Sequence, residues 1–76
     1  MSVRREAREL NLVALNRRAA SLWQVVAVTN PALDVVASGY LRRWSRDAIE
    51  VALAPGEGVA TLDARTHVVW TRRVPG

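Results

Sequence analysis

Residues 21–29 read SLWQVVAVT and residues 30–46 read NPALDVVASGYLRRWSR, and the fold of the chain turns on how these two runs are read. The first run is short and apolar. Its β-branched valines and threonine favour a strand. Its place, just ahead of Asn30-Pro31, equally suits the first helix of a helix-turn-helix. Periodicity does not arbitrate in so short an apolar run, and both readings stay open. The second run predicts a helix from Pro31 to about Arg46. Asn30 is a good N-cap and Pro31 suits the first helical position. Asp34 lies where the helix dipole favours an anion, and Arg42, Arg43 and Arg46 lie where it favours cations. Leu33, Val36, Ala37, Tyr40, Leu41 and Trp44 would share one apolar face. Val35, Ser38, Gly39, Arg42 and Arg46 would face outward.

Upstream, Val3–Ala20 holds helix-forming residues without Gly or Pro. At 100° per residue its apolar positions fall on two sides, so this predicted helix needs two neighbours, the second of them another copy of the chain. Downstream of Asp47 the chain turns to strands. Ile49, Val51 and Leu53 alternate with Glu50 and Ala52. Ala54-Pro55-Gly56-Glu57 suits a type II turn. Val59–Leu62 reads as a short strand, Asp63–Thr66 as a turn, and His67–Arg73 as a strand with Val68 and Trp70 inward.

The expected fold class is therefore α+β: N-terminal helices followed by an antiparallel β-hairpin or three-stranded meander, in one domain spanning residues 1–76. In order and spacing, VVAVTNPALDVVASGYLRRW, then DAIEVAL, then the hairpin around Pro55–Arg65 resembles the winged helix-turn-helix family. The resemblance implies a helix in the major groove and a wing on the backbone. It would place Ser38, Gly39, Arg42 and Arg46 toward the groove, Arg65 at the wing, and Arg72 and Arg73 on the returning strand. The groove-facing set is poor in base-reading side chains, which suits phosphate-dominated binding.

Charge points the same way. All eleven basic residues are arginine, eight of them in adjacent pairs, and the formal net charge is +4. Arginine presents a planar fork of donors matched to phosphate and guanine edges. Lysine and phenylalanine are absent and Ile49 is the lone isoleucine, which is the bias of a GC-rich genome. That bias explains arginine in place of lysine, but not the net charge. Arg17-Arg18 has no nearby acid and suits phosphate. Arg4, Arg5 and Arg8 are interleaved with Glu6 and Glu9 and read as an internally paired face. The expected partner is double-stranded DNA, held by Arg17, Arg18, Ser38, Arg42, Arg43, Arg46, Arg65, Arg72 and Arg73. The expected role is a transcriptional or recombination accessory factor, phage- or plasmid-encoded. The alternative is an assembly or interaction protein that oligomerises through its N-terminal helix.

Other classes find little support. With no cysteine there is neither a disulfide framework nor a thiolate metal site. His67 is the lone histidine, so no metal and no cofactor is expected. Ser38, His67 and Asp63 supply the letters of a catalytic triad without its spacing, and the chain is not expected to be an enzyme. No signal peptide is read. Leu22–Leu41 is too interrupted for the about 20 mostly apolar residues of a membrane span. The default localisation is cytoplasmic, and so thin a core predicts a homo-oligomer. Trp23, Trp44 and Trp70 are expected to meet in that core.

Overall fold

In a computed structural model, which describes residues 12–72, Asn30-Pro31 opens a hairpin and not a helix. The backbone N–H of Leu33 donates to the carbonyl of Asn30 at 2.9 Å, closing a type I turn with Pro31 at its second position. Leu33 follows in the left-handed region at φ 68°. This is the three-residue hairpin loop in which a type I turn is followed by one left-handed residue. The Asn30 side chain accepts from the Asp34 N–H at 3.0 Å, and the Asn30 N–H donates to the Asp34 carbonyl at 3.0 Å. The signals that start a helix are thus the signals that start a type I turn, and the chain reverses here instead of winding on.

The strands are β1 (Leu12–Ala14), β2 (Val25–Thr29), β3 (Val35–Trp44), β4 (Ala48–Ala52), β5 (Val59–Asp63) and β6 (Val68–Arg72), with one short 3-10 turn at Arg17–Ala19. They form a single antiparallel sheet in the order β1-β6-β2-β3-β4-β5. The α+β, winged-helix expectation is corrected: the described residues hold no α-helix, and the fold is all-β. With no α-helix among the described residues, the helix-turn-helix and winged-helix resemblance does not hold. The open choice at residues 21–29 resolves to strand from Val25 onward. The predicted Pro31–Arg46 helix is a turn followed by β3. Of the predicted Val3–Ala20 helix, residues 3–11 lie outside the described residues, and the remainder holds β1 and the 3-10 turn.

β3 takes part in two bulges, and the second explains why it mimics a helix in sequence. The ladder shifts between Val28 and Thr29 on β2 and between Leu41 and Arg43 on β3. Each shift resets the parity of alternation. Ala37 and Leu41 point inward by plain alternation, and the extra residue Arg42 then brings Trp44 inward, a spacing of four and then three, which is what a helix face would show. The strand reading holds further on, where Ile49 and Val51 are fully buried. Pro55-Gly56 forms the turn its residues suit: the Glu57 N–H donates to the Ala54 carbonyl at 2.9 Å and Gly56 has φ 86°.

The sheet is coiled. After the β2–β5 meander, β6 returns to pair with β2, not with β5. In a flat sheet β5 and β6 would lie about 19 Å apart, four strand spacings. The link Ala64–His67 is folded into a turn in which Asp63 accepts from Thr66 and His67, and it cannot reach that far. Cα extents of 28 × 27 × 26 Å agree: no dimension is the thickness of a flat sheet. The concave side encloses Val26, Val28, Ala37, Leu41, Ile49, Val51 and Val69, with Leu15, Ala20, Trp44, Leu53 and Leu62 packed against them. Burying each of the larger side chains contributes about 1.5–3 kcal/mol.

Two expectations about packing are corrected. Val69, not Val68 or Trp70, points into the core from β6. The three tryptophans do not meet in one core. Trp44 packs against it, Trp70 lies half-buried on the outer face, and Trp23 is 62% exposed.

Candidate functional site: the outer face of β1, β6, β2 and β3

Directly opposed residues of antiparallel strands share a face, so the register defines what the outer face presents. One row runs Val59, Ala52, Tyr40, Val25 across β5, β4, β3 and β2. The next runs Ser38, Ala27, Trp70, Ala14 across β3, β2, β6 and β1. Large rings thus flank a floor of small residues. Two shallow depressions, about 350 and 210 Å³, lie side by side here and share Val25, Val26 and Ser38. The first is bordered by Tyr40 and Pro55, the second by Trp70, Leu12 and Arg72. Together they form a groove with an aromatic ring in each half, an arginine at one end and no acid in its lining.

The two rings are held differently. The Trp70 indole Nε1–H donates to the Thr29 hydroxyl at 3.0 Å, and Thr29 is only 1% exposed. A buried hydroxyl left unpaired costs about 1–3 kcal/mol, so this bond fixes the indole against the sheet and leaves a ring surface toward the groove. Tyr40 is 51% exposed, and its hydroxyl bonds no described residue. The rim beside them is tied down as well. Gln24 Nε2 donates to the Thr71 hydroxyl at 3.1 Å, and that hydroxyl donates to the Val25 carbonyl at 3.1 Å.

The residues expected to hold DNA are scattered over this framework. Ser38 and Arg72 line the same depression. Arg42 lies at the β3 bulge, and Arg43 shares the outer face with Glu50 opposite it. Arg46 is exposed in the β3–β4 turn, and Arg17 and Arg18 are exposed in the 3-10 turn, where the Asn16 carboxamide accepts from the Arg18 N–H at 2.9 Å. Gly39, expected to face a DNA groove, sits within β3 beside β4. Arg73 lies outside the described residues. The expected helix face does not exist, so Ser38, Arg42, Arg43 and Arg46 do not form one recognition surface.

Arg65 is the cation visibly engaged. Its Nε lies 3.4 Å from Asp63 Oδ1, the only ion pair among the described residues. The Arg65 backbone N–H donates to the same carboxylate at 2.9 Å, and with the guanidinium and His67 nearby it holds the Asp63 carboxyl below the ordinary 3.8. The backbone bond is the largest cause. His67 Nδ1 lies 2.9 Å from the Asp63 carbonyl and 3.0 Å from the Thr66 hydroxyl. The Asp63 carboxylate is thus directed at Arg65 and not at His67, and Ser38 sits on the groove floor of another strand. These three residues do not make a relay.

Sequence reasoning missed Tyr40 and Trp70 as surface groups because it assigned both to the core. The available signal was the pair of valine-rich runs flanking Asn30-Pro31, which as a hairpin turns every second residue outward. Among the described residues no helix is long and apolar enough to cross a membrane. No group of three His, Asp or Glu residues among them stands where a metal ion could be held. Compared with protein-family models, with curated proteins and with solved structures, the chain matches none, so the site is read on its own chemistry.

Proposed function

We propose that this chain is a small, non-enzymatic nucleic-acid-binding protein that uses the outer face of its sheet. The observation that carries the reading is the groove over Ser38 and Ala27, edged by Tyr40 and Trp70, ended by Arg72 and free of acids in its lining. Aromatic rings on a positively charged surface supply the two interactions nucleic acids need, stacking on bases and attraction to phosphates. The net charge of +4 adds a long-range attraction to polyanions. Arg42, Arg43 and Arg46 are exposed outside the groove, with Glu50 opposite Arg43, and add to the overall charge and not to the groove itself.

The test is fluorescence anisotropy of labelled oligonucleotides of random sequence, in the range 20–300 mM salt. The reading expects binding at low salt that weakens steeply as salt rises, as release of condensed counterions requires. No binding of any oligonucleotide at 20 mM salt would remove it.

A second reading is favoured by one specific observation. Leu22 and Trp23 are 65% and 62% exposed, and Trp23 is held at φ 66°. An exposed, backbone-strained tryptophan fits a contact point for another protein or another copy of the chain. Molecular mass in solution separates the readings: a stable oligomer at both low and high salt, with no affinity for oligonucleotides, would favour assembly.

A further inference from the structure

We infer that the groove takes an unpaired strand, with two bases splayed onto Tyr40 and Trp70, and not a double helix. This rests on the nucleic-acid reading above and specifies its ligand.

Spacing carries the inference. Tyr40 is opposite Val25 and Trp70 is opposite Ala27, on the two sides of β2. The rings therefore stand two strands apart and two residues out of step, about 12 Å between Cα atoms by ordinary sheet spacings. Bases stacked in a duplex are about 3.4 Å apart along each strand. Two neighbouring stacked bases cannot each lie on one of these rings; a strand whose bases have come apart can. Relief is the second argument. The floor between the rings is Ala27 and Ser38, and none of the described lining is an α-helix that would enter a major groove. A shallow floor of small residues leaves room for a backbone to cross between the platforms. Polarity is the third. The Ser38 and Tyr40 hydroxyls offer hydrogen bonds to Watson–Crick edges, which only an unpaired base presents freely. Arg72, at the Trp70 end, is positioned for a phosphate.

The experiment is anisotropy of fluorescein-labelled oligo(dT) of 2, 4 and 8 nucleotides and of a 12-base-pair hairpin duplex, with the full chain at 50 mM salt. The octanucleotide is expected to bind at least about tenfold more tightly than the duplex. Tyr40→Leu and Trp70→Leu keep apolar bulk but remove a ring, and each is expected to lose about tenfold for the octanucleotide, the worth of one stacked base. Thr61→Ala on β5, outside the groove, is the control and is expected to leave affinity unchanged. Tyr40 is exposed, so the Tyr40 variant reports on binding even if loss of the Trp70–Thr29 bond unfolds the other. Equal affinity for duplex and single strand, or an unchanged Kd in Tyr40→Leu, would overturn the inference while leaving nucleic-acid binding in place. Binding of neither probe would overturn both.

Discussion

Replacing Gly39 with alanine separates the fold described here from a helical one by the sign of its effect. Gly39 sits in β3 at φ 156°, where side-chain-bearing residues are rarely found. A Cβ built there runs into the carbonyl oxygen of Ala52 on the neighbouring strand, inside van der Waals contact, with the Ala52 carbonyl carbon close behind. The obstacle is backbone in the middle of the sheet, so no flexible side chain can give way. Backbone strain of this kind costs about 1–3 kcal/mol. Forced displacement in packed surroundings costs about 1–3 kcal/mol more. A loss of about 2–6 kcal/mol is therefore expected, against a total of about 4–11 kcal/mol for a chain of this length. With a urea slope near about 1 kcal/mol/M for so small a domain, the midpoint should fall by about 2 M or more. Urea unfolding followed by tryptophan fluorescence reads this directly. Gly56, at φ 86° with nothing within 4 Å of its built Cβ, provides the contrast. There, alanine meets only the left-handed penalty, about 1 kcal/mol. In an exposed helix, Gly39→Ala would instead stabilise by about 1 kcal/mol. A midpoint unchanged or raised in Gly39→Ala would refute the packing of β3 against β4.

Three further outcomes are expected. Trp23→Asn should leave stability unchanged or raise it by up to about 1 kcal/mol, since asparagine tolerates the left-handed region and little of the indole is buried; a clear fall in melting temperature would mean the ring packs more than its exposure indicates. The depressed carboxyl of Asp63 stabilises the fold above the ordinary value of 3.8, and that contribution is lost as pH falls through the lower folded value. Asp63→Asn should therefore flatten the stability profile below that pH, and an NMR titration giving Asp63 a value at or above 3.8 would contradict the turn geometry. Arg72→Ala should reduce the slope of log K against log salt by about 0.7 for a single strand; an unchanged slope would take Arg72 out of phosphate contact.

The β-rich second half was legible because its cues are unambiguous. Ile49 and Val51 alternate with smaller or polar neighbours, and Pro55-Gly56 leaves one good turn type. The first half was not legible, for two physical reasons. Asn30-Pro31 satisfies the opening of a helix and the opening of a type I turn alike, because both begin with the same local geometry. Alternation from Ala37 to Leu41, followed by the Leu41/Arg43 bulge before Trp44, then spaced inward residues by four and three. What overruled the helix was non-local: β3 pairs on both sides, with β2 and with β4, and that pairing is not encoded in its own residues. The site was hidden by the same misassignment. Val68, Val69 and Trp70 are all bulky and apolar, so alternation did not identify which of them faces outward. An outer face rich in apolar residues removes the contrast on which inside-outside patterning depends. The arginines were visible throughout, but only pairing places Arg72 beside Leu12 and in the same depression as Ser38.

The most direct test is a residue-resolved NMR map of the full chain titrated with oligo(dT) of eight nucleotides. Shifts concentrated on Val25, Ala27, Ser38, Tyr40 and Arg72, together with movement of the Trp70 indole N–H signal, are what a base-stacking sheet face predicts. Shifts confined to β4 and β5, or a spectrum that does not change at saturating oligonucleotide, would contradict it.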